Sequence, residues 1–411
     1  MDSHHTEGVP METAHMVWAI IATALVLFMT PGLAFFYGGL VKAKSVISMM
    51  MMSIGSIGLV GVLWILFGDS MTKVSEPSDF AGNPFSDFAL VNADNEAMLG
   101  SAFSASFAII TVALISGAIA DRAKFGAWML FAGIYAVFVY FPVAAWVWGG
   151  GWIQHLGETL GLPDVIDYAG GLVVEINSGA AALALALVLG KRMNFGKGVH
   201  QPHNVPLTLI GFGILWFGWF GFNAGAAAFG DMSTVGLIFM NTFAASAAGI
   251  LGWIVIEKIK DGKATSIGAA SGAVAGLVAI TPSCANLTPG WSRVLGVIAG
   301  VVSAYAIELK FKLGFDDSLD VVGLHLAGGL VGTLYLGFFA TGTGLFTGGD
   351  IGQLTVQFIA ALAVLVYSFF SALVIGYAVD KLVGFRINSD DEAAGIDNVV
   401  HGELGYALEA D

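Results

Sequence analysis

Long runs of apolar residues recur along almost the whole chain, and short polar stretches separate them. Each run is close to the roughly 20 residues with which a helix crosses the hydrocarbon core of a bilayer. The ten-residue alternation that is typical of a membrane barrel is missing. The pattern predicts eleven transmembrane helices, over Ala14–Tyr37, Val46–Gly68, Leu99–Ala120, Gly126–Val147, Gly170–Leu189, Pro206–Ala224, Thr234–Ile256, Ser266–Pro282, Val294–Leu309, Val321–Ala340 and Thr355–Val379.

The composition supports this interpretation. Of the 411 residues, 57% are hydrophobic and 11% are charged, whereas soluble domains carry about 25% charged residues. We therefore predict an all-α integral membrane protein that crosses the cell (inner) membrane many times. Nucleic acid is excluded as a ligand, because the basic residues are confined to short loops. Cys284 is the only cysteine, so the chain forms no internal disulfide and no cysteine metal site.

The basic residues predict the orientation in the membrane. If the N-terminus lies outside, every Lys and Arg except Lys73 and Arg293 falls on the inner side. The positive-inside rule therefore places the N-terminus outside and the C-terminus inside, which requires an odd number of helices. Residues 1–13 then form an extracytoplasmic segment, residues 14–380 the transmembrane domain and residues 381–411 a cytosolic tail.

The predicted outer loops are acidic, in a chain whose formal net charge is −14. Carboxylates on this face raise the local concentration of cations and repel anions. A simpler interpretation is that they only solvate the loops. The residues concerned are Glu76, Asp79, Asp87, Asp94, Glu96, Glu158, Asp164 and Asp350.

A short internal repeat links the fifth and tenth predicted helices. Asp167–Gly179 reads DYAGGLVVEINSG, and Asp317–Gly329 reads DSLDVVGLHLAGG. Each segment has an aspartate, then an ionisable residue eight positions later, then a glycine four further on. The two helices run in opposite directions, so the pattern predicts an inverted five-helix repeat followed by an eleventh helix. Inverted repeats are typical of transporters with a site near the bilayer midplane.

Glu175 and His325 are the ionisable residues of that repeat, and we predict that they form a pair. Glu175 is the only acidic residue, and His325 the only histidine, well inside an apolar run. Such a residue costs a few kcal/mol or more in hydrocarbon, which points to a function. A structural polar pair is the alternative. A metal site would need three or four ligands, and an acid–base enzyme would need a nucleophile motif that is missing. We therefore predict no metal, no cofactor and no enzyme activity.

Aromatic residues cluster near the predicted outer face. Trp148 closes the fourth helix, and Phe107 and Phe222 lie deeper in the third and sixth. An interfacial aromatic belt explains some of these residues. An aromatic cage for a cation explains the deeper ones, through cation–π contacts worth up to about 2 kcal/mol. Asp167 precedes the fifth helix, where capping of backbone N–H groups is favoured over direct binding of a cation.

These stretches resemble the ammonium transporter family, which includes the fungal ammonium permeases and, more distantly, the Rhesus proteins. The resemblance covers the whole chain, from ALVLFMTPGLAFFYGGLVKAKS through GWFGFNAG to GIDNVVHGELGY. The most specific stretch is DYAGGLVVEINSG, which is similar to a family signature of Asp, an aromatic residue, Ala-Gly-Gly, any residue and Val-Val-His. The chain resembles a bacterial-type member with Glu in place of the first pore histidine.

The resemblance implies an outer ammonium site made by Trp148, Phe107 and a serine, and a gate made by Phe107 and Phe222. In this chain the serine position is occupied by Ala226, which has no hydroxyl. It also implies two hydrogen-bonded pore histidines, here Glu175 and His325, as a relay for protons. Glu175 puts in doubt any mechanism that requires two neutral imidazoles.

The resemblance further implies a homotrimer with one pore in each subunit, and a cytosolic tail that contacts a PII signal protein. The expected substrate is ammonium or ammonia, with methylammonium as a further candidate. The leading hypothesis is ammonium uptake, in which NH4+ is recruited at the cage and NH3 and a proton pass through a narrow pore. Two alternatives stay open: a passive NH3 channel without net charge, and an ammonium sensor that signals through its tail.

Overall fold

The computed structural model describes residues 12–196 and 201–406. Most of the predicted extracytoplasmic segment, Lys197 and the end of the predicted tail lie outside these ranges. Within them, eleven helices are long and apolar enough to cross a membrane. They are α1 (Thr13–Leu40), α2 (Ala43–Met71), α3 (Asn95–Ile119), α4 (Phe125–Trp148), α5 (Gly171–Leu189), α6 (Val205–Phe229), α7 (Met232–Asp261), α8 (Ser266–Ser283), α9 (Pro289–Leu313), α10 (Val322–Phe339) and α11 (Gly352–Val383).

The predicted number of spans is confirmed, and several helices are longer than the apolar runs that predicted them. At its inner end α7 continues to Asp261 and includes Lys258 and Lys260. These charged residues can be solvated beyond the hydrocarbon core, so hydropathy does not mark where the backbone helix ends. α11 runs to Val383 and ends where Gly384 adopts a φ of 69°, a left-handed conformation that favours glycine.

The segment after α11 shares one face of the molecule with the other basic loops. The carbonyl of Phe385 accepts a hydrogen bond from Lys124 N–H, and Ile387 N–H donates to the carbonyl of Arg122. We call this the inner face and the opposite one, at which Lys73 and Trp148 lie, the outer face. These names follow the orientation predicted from charge, which stays a prediction.

The helices pack as two groups around a central pair. In the first group α2 packs on α1, α3 and α4, and in the second α7 packs on α8 and α9. α1 runs along α6 and joins the two groups, while α5 and α10 both pack against α11. The central pair, α5 and α10, carries the two copies of the sequence repeat, as an inverted repeat requires.

Buried ion pairs tie three inner loops together. Arg192 Nη2 lies 2.9 Å from Asp316 Oδ1, and Arg192 Nη1 lies 3.2 Å from Asp121 Oδ2. Burial raises the pKa of the Asp316 carboxyl, but the hydrogen bonds and charge of Arg192 outweigh this and leave the pKa below its usual value. Arg192 therefore joins the loops after α3, α5 and α9.

Candidate functional site

The two repeat segments begin with the same local structure. Each central helix starts with a π-helical turn, Gly171–Ile176 in α5 and Val322–Leu326 in α10. Asp167 accepts hydrogen bonds from Leu172 and Val173 N–H in the first turn and from Gly170 N–H just before it. Asp317 accepts one from Val322 N–H at 2.7 Å. π-helical turns are rare in proteins, and many of those that occur lie at functional sites. The aspartates therefore cap the turns that carry Glu175 and His325.

The glycine of each repeat makes room for the other central helix. A Cβ atom on Gly179 would lie 2.4 Å from the backbone nitrogen of Leu326. A Cβ atom on Gly329 would lie 2.9 Å from the Cβ of Glu175. Real Cβ atoms do not approach so closely, so any larger residue at either position would force its neighbour to move, most severely at Gly179, where the neighbour is backbone. The spacing of four residues in the repeat thus brings the two π-helical turns together.

Glu175 and His325 meet at this crossing. Glu175 Oε2 lies 2.6 Å from His325 Nδ1, and both side chains are almost fully buried, with 1% and 5% exposure. The other carboxylate oxygen, Oε1, has no hydrogen-bond partner within the described part of the chain. The pair borders a cavity of about 20 Å³, which is close to the space that one water molecule needs.

The walls of this small cavity are otherwise apolar or aromatic. Trp219, Phe222 and Tyr37 line it together with aliphatic residues of α1, α3 and α6. The Tyr37 hydroxyl donates to the carbonyl of Leu114. This cavity is therefore narrow, with the side chains of Glu175 and His325 in contact at its wall.

A much larger cavity opens above the pair at the outer face. It has a volume of about 580 Å³ and is lined by Phe107, Trp148 and Ala226, the three residues predicted for the outer site. Asp69 and Glu96 add carboxylates to its walls, and Asp69 pairs with Lys73 at 2.6 Å. The structure thus brings the predicted outer residues to one acid-rimmed cavity.

Two phenyl rings separate the outer cavity from the small one. The ring centroids of Phe107 and Phe222 are 4.3 Å apart with an interplanar angle of 32°, and both rings are buried. The ring of Trp148 is edge-on to Phe107, with a centroid distance of 6.1 Å. Trp148 is 37% exposed, and its indole N–H donates to the carbonyl of Asp167 at 2.8 Å. The rings are in contact, so the passage is closed in this conformation.

The structure adds residues that the sequence did not single out for the pore. Phe103 packs on Phe107 and Phe229, with centroid distances of 4.9 and 5.4 Å. Tyr37 and Trp219 line the cavity beside the polar pair. Phe103 and Trp219 belong to aromatic stretches of α3 and α6 that the sequence shows, but in a helix that is apolar on all sides no periodic pattern marks which rings face a cavity, and Tyr37 has no such signal at all.

Eleven spanning helices, two inverted repeat segments and a buried polar pair at their crossing define a transport protein of the inverted-repeat class. Comparison with known proteins identifies the family. The model of the Ammonium Transporter Family matches residues 17–406. An ammonium transporter of Mycobacterium bovis is 48% identical over 443 residues, covering 99% of this chain and 92% of the relative. One of Bacillus subtilis is 42% identical, covering 96% of this chain and 99% of the relative.

Solved structures agree. The crystal structure of Candida albicans Mep2 matches with a TM-score of 0.86 at 30% identity, covering 97% of this chain and 94% of that one. The solved structure of a protein described as a Sensor Amt Protein matches with a TM-score of 0.87 at 25% identity, covering 95% and 98%. The chain belongs to the ammonium transporter family, a family of multi-pass membrane transporters rather than enzymes. This membership supports transport of ammonium across the membrane.

Proposed function

We propose that this protein takes up ammonium by recruiting NH4+ at the outer cavity and passing NH3 and a proton separately through the pore. The observation that carries the proposal is the buried contact of 2.6 Å between Glu175 and His325. It lies behind the two phenyl rings, beside a cavity of about 20 Å³. A carboxylate and an imidazole in this position give protons a route that the apolar walls do not offer.

The size and polarity of the passage favour separation of NH3 from its proton. A hydrated ammonium ion is too large for a space of about one water molecule. A bare ion would lose its hydration among mainly apolar side chains, at a cost that burial of a charge makes high. Neutral NH3 fits without that penalty. The proton then needs titratable groups, and Glu175 and His325 supply them.

The outer cavity is the proposed recruitment site. The face of Trp148 and the ring of Phe107 offer cation–π contacts. The charged residues that line the cavity are two carboxylates, Asp69 and Glu96, and one ammonium group, Lys73, so their summed charge is negative and favours cations over anions. Ala226 lines the same cavity without a hydroxyl. Recruitment therefore relies on rings and acidic residues rather than on a hydrogen bond from that position.

Substitutions at the outer cavity test this assignment. We expect Trp148→Ala to raise the ammonium concentration at half-maximal transport severalfold, because it removes the main cation–π surface. We expect Ala226→Ser to lower it severalfold, since one added hydrogen bond is worth roughly 0.5–1.5 kcal/mol. The measurement is initial transport rate against ammonium concentration in proteoliposomes. An unchanged half-saturation in Trp148→Ala would show that the cage is not the recruitment site.

The experiment that tests the proposed function is ammonium-evoked current from purified protein in proteoliposomes at several pH values. We expect inward positive current that depends on the ammonium gradient. A rise in internal pH with no current would favour the passive channel, because NH3 that enters the vesicle takes up a proton there. Specific ammonium binding without any flux would favour a sensor, the role by which one similar protein is described.

The orientation, the assembly and the partner are further parts of the proposal. We infer an N-terminus outside the cell, a homotrimer and a PII signal protein at the inner face. A reporter that is active only in the cytosol, fused after residue 411, checks the orientation. The mass of the detergent-solubilised protein checks the trimer, and co-purification with a PII protein checks the partner.

Contacts of the tail support an inner regulatory surface. Asp397 accepts hydrogen bonds from Ile47 N–H at 3.0 Å and Ser48 N–H at 2.8 Å, and so caps α2. Glu392 accepts from Met193 N–H, and Tyr406 lies 2.7 Å from a ring nitrogen of His203. The tail therefore contacts the first turns of α2, the loop that follows α5 and the residues just before α6, so its position is coupled to membrane-spanning helices.

Asp397→Ala tests that coupling. It removes both hydrogen bonds to the start of α2, and loss of a helix cap costs about 0.5–2 kcal/mol. We expect faster proteolysis of the tail and a severalfold lower transport rate, with assembly unchanged. Asp390→Ala is the matched control, because Asp390 is exposed. If Asp397→Ala and the control behave alike, and deletion of residues 391–411 also leaves transport and PII inhibition intact, the tail has no regulatory role.

A further inference from the structure

The hydroxyl of Thr281 joins α8 to α6, the helix that carries the gate residue Phe222. Thr281 is fully buried in the last turn of α8. Its Oγ1 accepts a hydrogen bond from the indole N–H of Trp219 on α6 at 2.9 Å. Two acceptors lie within reach of the hydroxyl, the carbonyl of Leu277 at 2.8 Å and Asn223 Oδ1 at 3.3 Å.

Both partners on α6 flank the gate residue Phe222. Trp219 packs on Phe222 with a centroid distance of 5.5 Å, and its ring lines the small cavity beside Glu175. Asn223 follows Phe222 directly and donates from Nδ2 to Thr242 Oγ1 on α7 at 3.0 Å. The gate ring is therefore held between two side chains that are anchored to other helices.

The backbone of the same turn holds the segment that leads into α5. The carbonyl of Thr281 accepts from Ala169 N–H at 3.2 Å, and that of Pro282 accepts from Tyr168 N–H at 3.1 Å. Asp167, the residue before them, accepts the N–H of Trp148 through its carbonyl. The last turn of α8 thus contacts the residues beside the gate ring on α6 and also the segment that holds Trp148 of the outer cavity.

We propose that Thr281 is a positioning residue that acts through Trp219 to fix the width of the pore. The inference rests on the proposed transport of ammonium and adds a residue that sets its selectivity for the size of the neutral amine that passes the narrow cavity. Thr281 touches neither the polar pair nor the cavity. Its hydroxyl fixes the indole that forms one wall of a space large enough for one small molecule.

Removal of the hydroxyl has a definite consequence. In Thr281→Val the shape of the side chain is kept, but the buried indole N–H loses its acceptor. An unpaired buried donor is costly, so the indole turns toward another acceptor and moves away from the cavity. The cavity then widens on that side and admits a molecule with an additional methyl group.

The test compares ammonium and methylammonium currents in proteoliposomes of the full-length protein. We expect the ratio of ammonium to methylammonium current to fall roughly five- to tenfold in Thr281→Val, the scale of one lost buried hydrogen bond. Thr281→Ser retains the hydroxyl and should keep the wild-type ratio. Trp219→Phe removes the other end of the bond and should lower the ratio similarly. The variant that combines Thr281→Val and Trp219→Phe should lower the ratio little further, because both changes break the same hydrogen bond.

Thr333→Val is the matched control. Thr333 is also fully buried, but its hydroxyl has no hydrogen-bond partner within the described residues, so the change should leave the ratio unaltered. A wild-type ratio in Thr281→Val, or equal losses in the serine and valine variants, would overturn the inference. If Thr281→Val does not fold, a wild-type ratio in Trp219→Phe overturns it. Absence of current in the wild-type protein would instead reject the proposed function.

Discussion

Replacement of Glu175 by leucine is expected to abolish ammonium-evoked current while the protein still folds and assembles. Glu175 contacts His325 at 2.6 Å and is 1% exposed. If the pair only stabilised helix packing, an apolar residue of similar size would be tolerated or even stabilising. If the pair relays protons, current should fall at least about a hundredfold, the range seen when a positioned proton-transfer group is lost.

Two further substitutions separate shape from titration. Glu175→Gln keeps a hydrogen-bond acceptor for His325 Nδ1 but has no titrating group, so we expect it to fold normally and lose current. Glu175→His introduces an imidazole with a reference pKa of about 6.5 instead of about 4.3. We expect this variant to remain active, with a shifted pH dependence.

The measurement is initial current per folded assembly between roughly pH 5 and 8, where histidine titrates. Glu158→Gln serves as control, because Glu158 is an exposed carboxylate of a short outer helix. Flux of NH3 is followed in parallel through internal pH. Wild-type current with an unchanged pH profile in Glu175→Leu would leave Glu175 as a structural residue.

Gly179→Ala is expected to produce the second large effect, loss of the contact between α5 and α10. The added Cβ would lie 2.4 Å from Leu326 N and 2.7 Å from Leu326 Cα. These are backbone atoms of a packed helix, so they cannot rotate away. Overpacking of a core costs typically about 1–3 kcal/mol and more where relaxation is blocked. We expect a marked drop in thermal stability and little or no current.

Two other glycines make this prediction specific. At Gly329 the added Cβ would meet the side-chain Cβ of Glu175 at 2.9 Å, so we expect Gly329→Ala to fold but to show reduced current and a shifted pH profile. Gly126 in α4 has open space around it, and Gly126→Ala should be as stable as the wild type. Thermal unfolding in detergent ranks the three variants. Equal stability of Gly179→Ala and Gly126→Ala would contradict the close approach of the central helices.

Much of the site could be predicted because a few polar residues stand inside otherwise apolar helices. Glu175 and His325 are conspicuous by their charge, and the common spacing from Asp167 and Asp317 predicts their pairing. The structure places them in contact. The aromatic cluster pointed to Trp148 and Phe107, the resemblance to the family added Ala226, and all three line one cavity. Their exact roles in transport stay predictions.

Residues without such a signal were found only in the structure. Tyr37 and Thr281 lie in largely apolar helices, and nothing in the aromatic stretch around Trp219 shows which of its rings faces a cavity. In a soluble protein, the polar face of a helix tells which side is buried. In a membrane both the lipid-facing and the protein-facing sides are apolar, so the sequence does not reveal which residues face a pore.

The sequence by itself determined the class of the protein, the number of spans and the segregation of basic residues to one face. These depend on the transfer free energy of each segment and on the charge of each loop, which are local properties. Tertiary structure alone decided that two π-helical turns cross at Gly179 and Gly329, that the rings of Phe107 and Phe222 lie 4.3 Å apart, and that Thr281 holds Trp219. Each of these contacts joins residues far apart in the chain, and close packing of the helices selects them.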